Sequence, residues 1–247
     1  MKLLTNSFKA ILFDFGGTLD SDGIAWKERF YPIYRSCGLN LDFKEFEKYF
    51  FSSDDALVEQ KLKNLSFSKT IYLQVSLVLK NAGLLKKNGS RQFIKSDKSH
   101  LNVQKFLAQK ISDIFIQDSL KIIKRNIKLL KKLKKHYKLG IVSNFYGNLP
   151  FICMDFGLSS YFDAIIDSEQ VGFKKPDPRI FECALKKVRA RAEQTLFVGD
   201  SVSRDMQGAK NIGMPHIWLK AESLRGIKPC CNKEKIIHSL QELAQIL

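Results

Sequence analysis

Apolar residues recur along this chain in two rhythms. Short runs rich in β-branched and aromatic residues lie at residues 8–14, 139–144, 164–167, 195–198 and 215–219, and each gives way to polar or glycine residues. That pattern predicts strands buried on both faces. Elsewhere the apolar positions follow helical spacing. Asp42 is placed to cap a helix carrying Phe43, Phe46, Phe50 and Leu57, with Glu45 at the capping-box position. Further helices are predicted over 71–79, 100–115, 116–137, 178–188 and 204–212, the last stopping at Gly213, and a closing amphipathic helix over 236–247. Residues 85–98 read as a loop.

From residue 116 onward helix and strand alternate, which implies a parallel sheet with right-handed crossovers. The predicted fold class is therefore α/β: a Rossmann-like parallel sheet core with helices on both faces, plus an inserted all-helical domain. The insert takes residues 21–115, where no strand is predicted, and the core takes 1–20 and 116–247.

Composition narrows the setting. With 247 residues, 45% of them hydrophobic and 27% charged, the chain can bury a sizeable core. No apolar run approaches the roughly 20 residues needed to span a bilayer, and the first residues lack the apolar stretch of a signal peptide. A cytoplasmic protein without membrane partners is expected. Cys37, Cys153, Cys183, Cys230 and Cys231 are scattered without Cys-x-x-Cys spacing, so reduced thiols are expected rather than disulfides or a zinc site.

The formal charge of +16 would attract polyanions. Lysine supplies most of the 41 basic residues, however, and the stretch from Ser119 to Met154 contains no acidic residue and few aromatics. The basic face of helix 116–137 is therefore read as solvated rather than as a nucleic-acid interface. Nothing in the chain speaks to its oligomeric state.

The chemistry gathers at strand ends. The first strand ends in Asp14-Phe15-Gly16-Gly17-Thr18-Leu19, where the glycines bring backbone close to any ligand. The second ends in Ser143-Asn144 and the fourth in Gly199-Asp200, while Lys175-Pro176 precedes the helix at 178–188. In a parallel sheet all of these reach one edge, where open α/β sheets bind ligands. A carboxylate nucleophile, a hydroxyl donor, a cation and a second carboxylate for a divalent ion are the parts required for in-line attack on phosphorus.

In these segments the sequence resembles the haloacid dehalogenase-like hydrolase superfamily, whose members share four motifs in this order. They stand here as Asp14-Phe-Gly-Gly-Thr-Leu, Val142-Ser143-Asn144, Gly172-Phe-Lys-Lys175-Pro-Asp-Pro and Val198-Gly-Asp200-Ser-Val-Ser-Arg-Asp205. The helical insert resembles the family's cap, which selects substrate. The resemblance implies that Asp14 is the nucleophile that becomes an aspartyl-phosphate, that Ser143 holds a phosphoryl oxygen and that Lys175 neutralises charge. Thr18 and Asn144 would contribute to the substrate side of the site. A Mg²⁺ ion would be held by Asp14, the carbonyl of Gly16, Asp200 and Asp205, and the partner would be a small phosphorylated substrate.

One position departs from the pattern. Family phosphatases carry a second Asp two residues after the nucleophile, where it protonates the leaving oxygen, and this chain has Gly16. General acid-base catalysis is worth about 10²–10⁴-fold, so turnover is expected to be slow or restricted to good leaving groups unless Asp20 or Asp22 substitutes. The leading expectation is a Mg²⁺-dependent phosphohydrolase. The alternatives are a phosphate-binding or regulatory protein with little turnover, and a metal-independent 2-haloacid dehalogenase. Gly199-Asp200 and Asp205 argue against the last.

Overall fold

The computed structural model describes residues 8–60, 62–83, 98–222 and 235–247. It divides into two compact units, Met1–Ala25 with Ser119–Leu247, and Trp26–Asp118. The predicted loop over 85–98 lies outside the described residues but for Lys98, which opens a helix, and the Cys230-Cys231 pair lies outside them too.

The first unit is built on six parallel strands, β1 (Ala10–Phe13), β2 (Lys138–Ser143), β3 (Ala164–Asp167), β4 (Thr195–Gly199), β5 (His216–Leu219) and β6 (Lys235–Ile237). Their order is β3-β2-β1-β4-β5-β6. The chain thus winds outward from β1 in both directions, and the crevice beyond the carboxyl ends of β1 and β4 is the topological switch point. Phe13 lies beside Ile141 on one side and Val198 on the other, so the three strands end nearly level.

Both faces of the sheet are buried. Side chains alternate across a strand, and Leu12, Val142, Ile166, Phe197 and Trp218 share one face with Phe181 and Ala184 of helix α7 (Pro178–Val188) and with Met206 and Ala209. Ile11, Ile141, Val198 and Ile217, fully buried as well, supply the opposite face. Helices α5 (Leu149–Asp155), α6 (Ser168–Val171), α8 (Gln207–Asn211) and α9 (Leu243–Ile246) complete the unit.

The second unit is helical throughout its described residues: α1 (Trp26–Ser36), α2 (Phe43–Glu59), α3 (Phe67–Asn81) and the first part of α4 (Lys98–Leu133). Asp42 does cap α2, its carboxylate accepting the Glu45 amide at 2.8 Å. An aromatic core holds these helices together, with Phe30 stacked on Phe115 at 3.9 Å and Trp26 edge-on to both Phe67 and Phe115. No described helix is long and apolar enough to cross a membrane.

Three expectations are corrected. The helices predicted over 100–115 and 116–137 are one 36-residue helix, α4, because nothing between Phe115 and Ser119 breaks it. The closing helix over 236–247 does not form as such. Its first residues, Ile236 and Ile237, are β-branched and join the sheet as β6, and Ser239 then starts a new turn with a reciprocal capping box to Glu242. The helix over 204–212 begins earlier, as a π-helical turn over Val202–Met206 that passes into α8. Helix α1, with Pro32 inside it, was not anticipated.

Candidate active site

Four segments converge at the switch point. Asp14 follows β1 directly, and its amide extends the ladder by donating to the Val198 carbonyl at 3.0 Å. The chain then turns: the amides of Thr18 and Leu19 both donate to the Phe15 carbonyl, and Gly17 adopts φ +90. Gly17 is required twice over. A side chain there would need the left-handed region, and its Cβ would lie 2.5 Å from the Asp200 carboxylate. Gly16, between the nucleophile position and this turn, does not have a positive φ.

Lys175 joins the carboxylates. Its ammonium is almost fully buried and donates to Asp14 Oδ1 at 2.7 Å and to Asp205 Oδ1 at 2.6 Å. Asp205 is fully buried at the π-helical turn, where its other oxygen accepts the Ser201 amide at 2.9 Å. A Cβ on Gly199 would sit 2.5 Å from the Asp205 carboxylate, so the glycine at the end of β4 makes room for that side chain. Turns of π type often occur at functional sites.

Asp200 is held by other means. Thr18 Oγ1 donates to its Oδ1 at 3.1 Å, and the indole Nε1 of Trp218 donates to its main-chain carbonyl at 2.8 Å. One oxygen from each of Asp14, Asp200 and Asp205 falls within 4.8 Å of the others. Two of the three carboxylates, Asp14 and Asp205, thus bond the Lys175 ammonium, while Asp200 bonds Thr18. Burial pushes Asp200 well above the usual carboxylate range, and the charges of Asp14 and Asp205 push it further. Burial also raises Asp205, although Lys175 opposes the shift. For Lys175 burial works against the charged form, but the two carboxylates outweigh it and the net shift is upward. A cluster of hard oxygen donors with excess negative charge fits a divalent cation such as Mg²⁺, which would favour the ionised forms that burial disfavours.

Ser143, at the end of β2, is buried and its hydroxyl makes no side-chain hydrogen bond to a described residue. Asn144 does not point away from the cluster's supports: both ends of its carboxamide meet the main chain of Lys175. Thr18 and Asn144, expected on the substrate side, are thus placed on Asp200 and Lys175. Asp20 is fully buried, accepting the Gly17 amide at 2.8 Å and the Ser119 hydroxyl at 3.4 Å. Asp22 forms a forked pair with Arg125, both bonds 2.7 Å. Each of these carboxylates is engaged in holding the segment that follows the turn.

Sequence reasoning missed Asp167. It ends β3 opposite Ser143, fully buried, and accepts the amides of Gly147, Leu149 and Glu169 at 2.9–3.0 Å. Ser168 Oγ and Gln170 Nε2 add bonds to Phe145 and Gly147. The loop that begins with Asn144 is thereby pinned along its length. The available signal was an acidic residue closing an apolar strand run immediately before a helix start; the acidic strand end is what singles out Asp14 as well.

A sequence model of the family described as haloacid dehalogenase-like hydrolase matches residues 8–213. Haloacid dehalogenase-like hydrolase domain-containing protein 3 of Mus musculus is 39% identical over 117 residues, 46% of this chain and 46% of that protein. The pyrimidine 5'-nucleotidase YjjG of Escherichia coli is 34% identical over 126 residues, 49% of this chain and 54% of that protein. A glyceraldehyde 3-phosphate phosphatase of Methanothermobacter thermautotrophicus is 31% identical over 124 residues, 48% and 55%. The chain spans about half the length of the curated relatives it matches. Among solved structures, a magnesium-bound HAD-hydrolase, YfnB of Bacillus subtilis, aligns with TM-score 0.55 at 21% identity, covering 97% of this chain and 98% of that one. A dehalogenase aligns with TM-score 0.61 at 17% identity, covering 99% of both chains. At such identities the likeness is one of fold.

Proposed function

The chain belongs to the haloacid dehalogenase-like hydrolase family, and from that premise we propose that it is a Mg²⁺-dependent phosphohydrolase acting on a small phosphorylated metabolite. The observation that carries this reading is the Asp14–Lys175–Asp205 contact set beside Asp200 at the sheet's switch point. Relatives named as a nucleotidase and a glyceraldehyde 3-phosphate phosphatase support the substrate class.

In this proposal a carboxylate oxygen of Asp14 attacks phosphorus and the bond to the leaving oxygen breaks, giving an aspartyl-phosphate. Water then attacks that phosphorus, which releases inorganic phosphate and restores Asp14. Lys175 balances charge on Asp14 and on the phosphoryl oxygens, and Ser143 donates to one of those oxygens. Asp14, Asp200, Asp205 and the Gly16 carbonyl would hold Mg²⁺, which supplies charge neutralisation for the phosphoryl group. Thr18 keeps Asp200 in place and Asn144 keeps Lys175 in place. The helical unit Trp26–Asp118 is assigned to substrate selection, and the site is assigned to the cytoplasm.

Gly16 shapes the substrate range. No carboxylate at that position can protonate the leaving oxygen, and Asp20 and Asp22 are committed elsewhere. The proposal therefore favours leaving groups that need little protonation, such as the carboxylate of an acyl phosphate. The same glycine favours a second reading, a phosphate-binding protein with little turnover. The test is a screen of phosphorylated metabolites with Mg²⁺, run on the wild type, Gly16→Asp and Asp14→Asn. Wild-type turnover of acyl phosphates that disappears in Asp14→Asn and with a chelator supports the enzyme. Turnover only after Gly16→Asp supports the binding protein, and halide release from a 2-haloacid without metal overturns both.

A further inference from the structure

The opposite edge of the sheet carries a second feature. A groove of about 750 Å³ is lined by Lys9, Lys186, Arg189 and Arg191, with Glu182 as its one acidic member and Leu185 and Ala190 at its half-buried floor. Lys9 precedes β1 and Arg191 lies just before β4, so the groove sits where these strands begin. Asp14 lies where they end. Five extended residues separate Lys9 from Asp14, about 16 Å, so the groove is distinct from the carboxylate cluster.

Its charge is unbalanced. Arg191 pairs with Glu193 at 3.0 Å, but Lys9, Lys186 and Arg189 form no ion pair with a described residue. Two chain segments, the residue before β1 and the stretch from α7 to β4, deliver these cations to one concavity. All four side chains are exposed, so solvent and salt screen most of their mutual repulsion, and a bound polyanion would relieve what remains.

Arg189 adds an independent sign. It closes α7 at φ 55, ψ 46, the only described non-glycine residue with positive φ. Glycine or asparagine is the residue that ends helices in this conformation, and another residue there costs roughly 1 kcal/mol. An arginine kept where glycine fits better is expected when the guanidinium has work to do.

We propose that this groove binds a linear oligophosphate, either free or as the phosphate chain of a nucleotide. Its volume lies within the ordinary range for small-ligand sites. Lys9, Lys186 and Arg189, the cations without an ion pair to a described residue, oppose the charges of such a chain, and the Arg189 guanidinium can fork two oxygens. The floor of Leu185 and Ala190 leaves room for an apolar or aromatic part of a nucleotide.

Calorimetric titration of the whole chain with inorganic tripolyphosphate and, separately, with ATP tests this, both with a chelator present so that the carboxylate cluster repels anions. Binding is expected to weaken with salt and to persist in Asp14→Asn. Arg189→Gly and Lys186→Ala should each lower affinity about tenfold or more, the loss of a charge-assisted contact. Arg189→Gly should leave the melting temperature unchanged or raised, which separates lost binding from lost folding. Tighter binding of ATP than of tripolyphosphate assigns the site to nucleotides, and the reverse assigns it to free oligophosphate. No binding, wild-type affinity in both groove variants, or loss of binding in Asp14→Asn overturns the proposal. None of these results depends on the phosphohydrolase reading.

Discussion

Asn144 grips Lys175 by its main chain: Oδ1 accepts the Lys175 amide at 2.7 Å and Nδ2 donates to the Lys175 carbonyl at 3.1 Å. The residue after the β2 hydroxyl thus fixes where a buried ammonium 31 positions later meets Asp14. Small misplacements of a catalytic group cost about 10²-fold when geometry carries the rate. Asn144→Ala is expected to lower kcat by about that factor while KM changes less, and Asn144→Asp, which keeps one acceptor but no donor, should fall between. An Asn144→Ala enzyme with wild-type kcat would remove this positioning role.

Gly17 offers a second test. Alanine at Gly17 meets both a φ of +90 and the Asp200 carboxylate at 2.5 Å, whereas alanine at Gly213, φ +68, has open space around it. Gly213→Ala should cost about 1 kcal/mol of stability with activity and metal requirement unaltered. Gly17→Ala should in addition displace Asp200 and raise the Mg²⁺ needed for half-maximal activity by about tenfold or more. Equal metal requirements in the two variants would contradict the placement of Asp200.

Asp167 makes stability depend on pH. Burial, the largest influence, pushes its carboxyl up to about 6 although three amides donate to it, and the Glu169 charge adds to the rise. A carboxyl raised above its unfolded value binds its proton more tightly when folded. Its contribution is therefore greatest below about pH 4 and declines as pH rises to about 6, by up to about 3 kcal/mol. Asp167→Asn cannot ionise and turns an amide donor toward a main-chain N–H, so it should be less stable at pH 4. Urea midpoints should show that deficit shrinking between pH 4 and 7. A deficit that grows over this range would contradict the shift.

Much of this was legible in the sequence because parallel strands announce themselves. Buried runs ending in Asp14, Ser143 and Asp200 place three groups on one sheet edge by pattern alone, and the structure brings Asp14, Lys175, Asp200 and Asp205 together there. What stayed hidden depends on contacts between distant residues. The Thr18–Asp200 bond spans 182 positions and has no local signature. Asp167 looks like any polar strand end until its three amide donors are seen. Local pattern also misled where two structures suit it: Ile236 and Ile237 fit a helical stripe as well as a strand, and only pairing with β5 decides. Helix α4 is one helix where the apolar pattern predicts two, because its buried face runs on through the polar Ser119 and Asn126 between Phe115 and Leu130.

The central claim is that Asp14 becomes phosphorylated. Wild-type protein incubated with Mg²⁺ and acetyl phosphate, quenched in acid and mapped by mass spectrometry, should carry a phosphoryl group on the peptide containing Asp14, labile to hydroxylamine, and Asp14→Asn should carry none. Hydrolysis of acetyl phosphate with no adduct on that peptide, or an equal adduct in Asp14→Asn, would contradict the account.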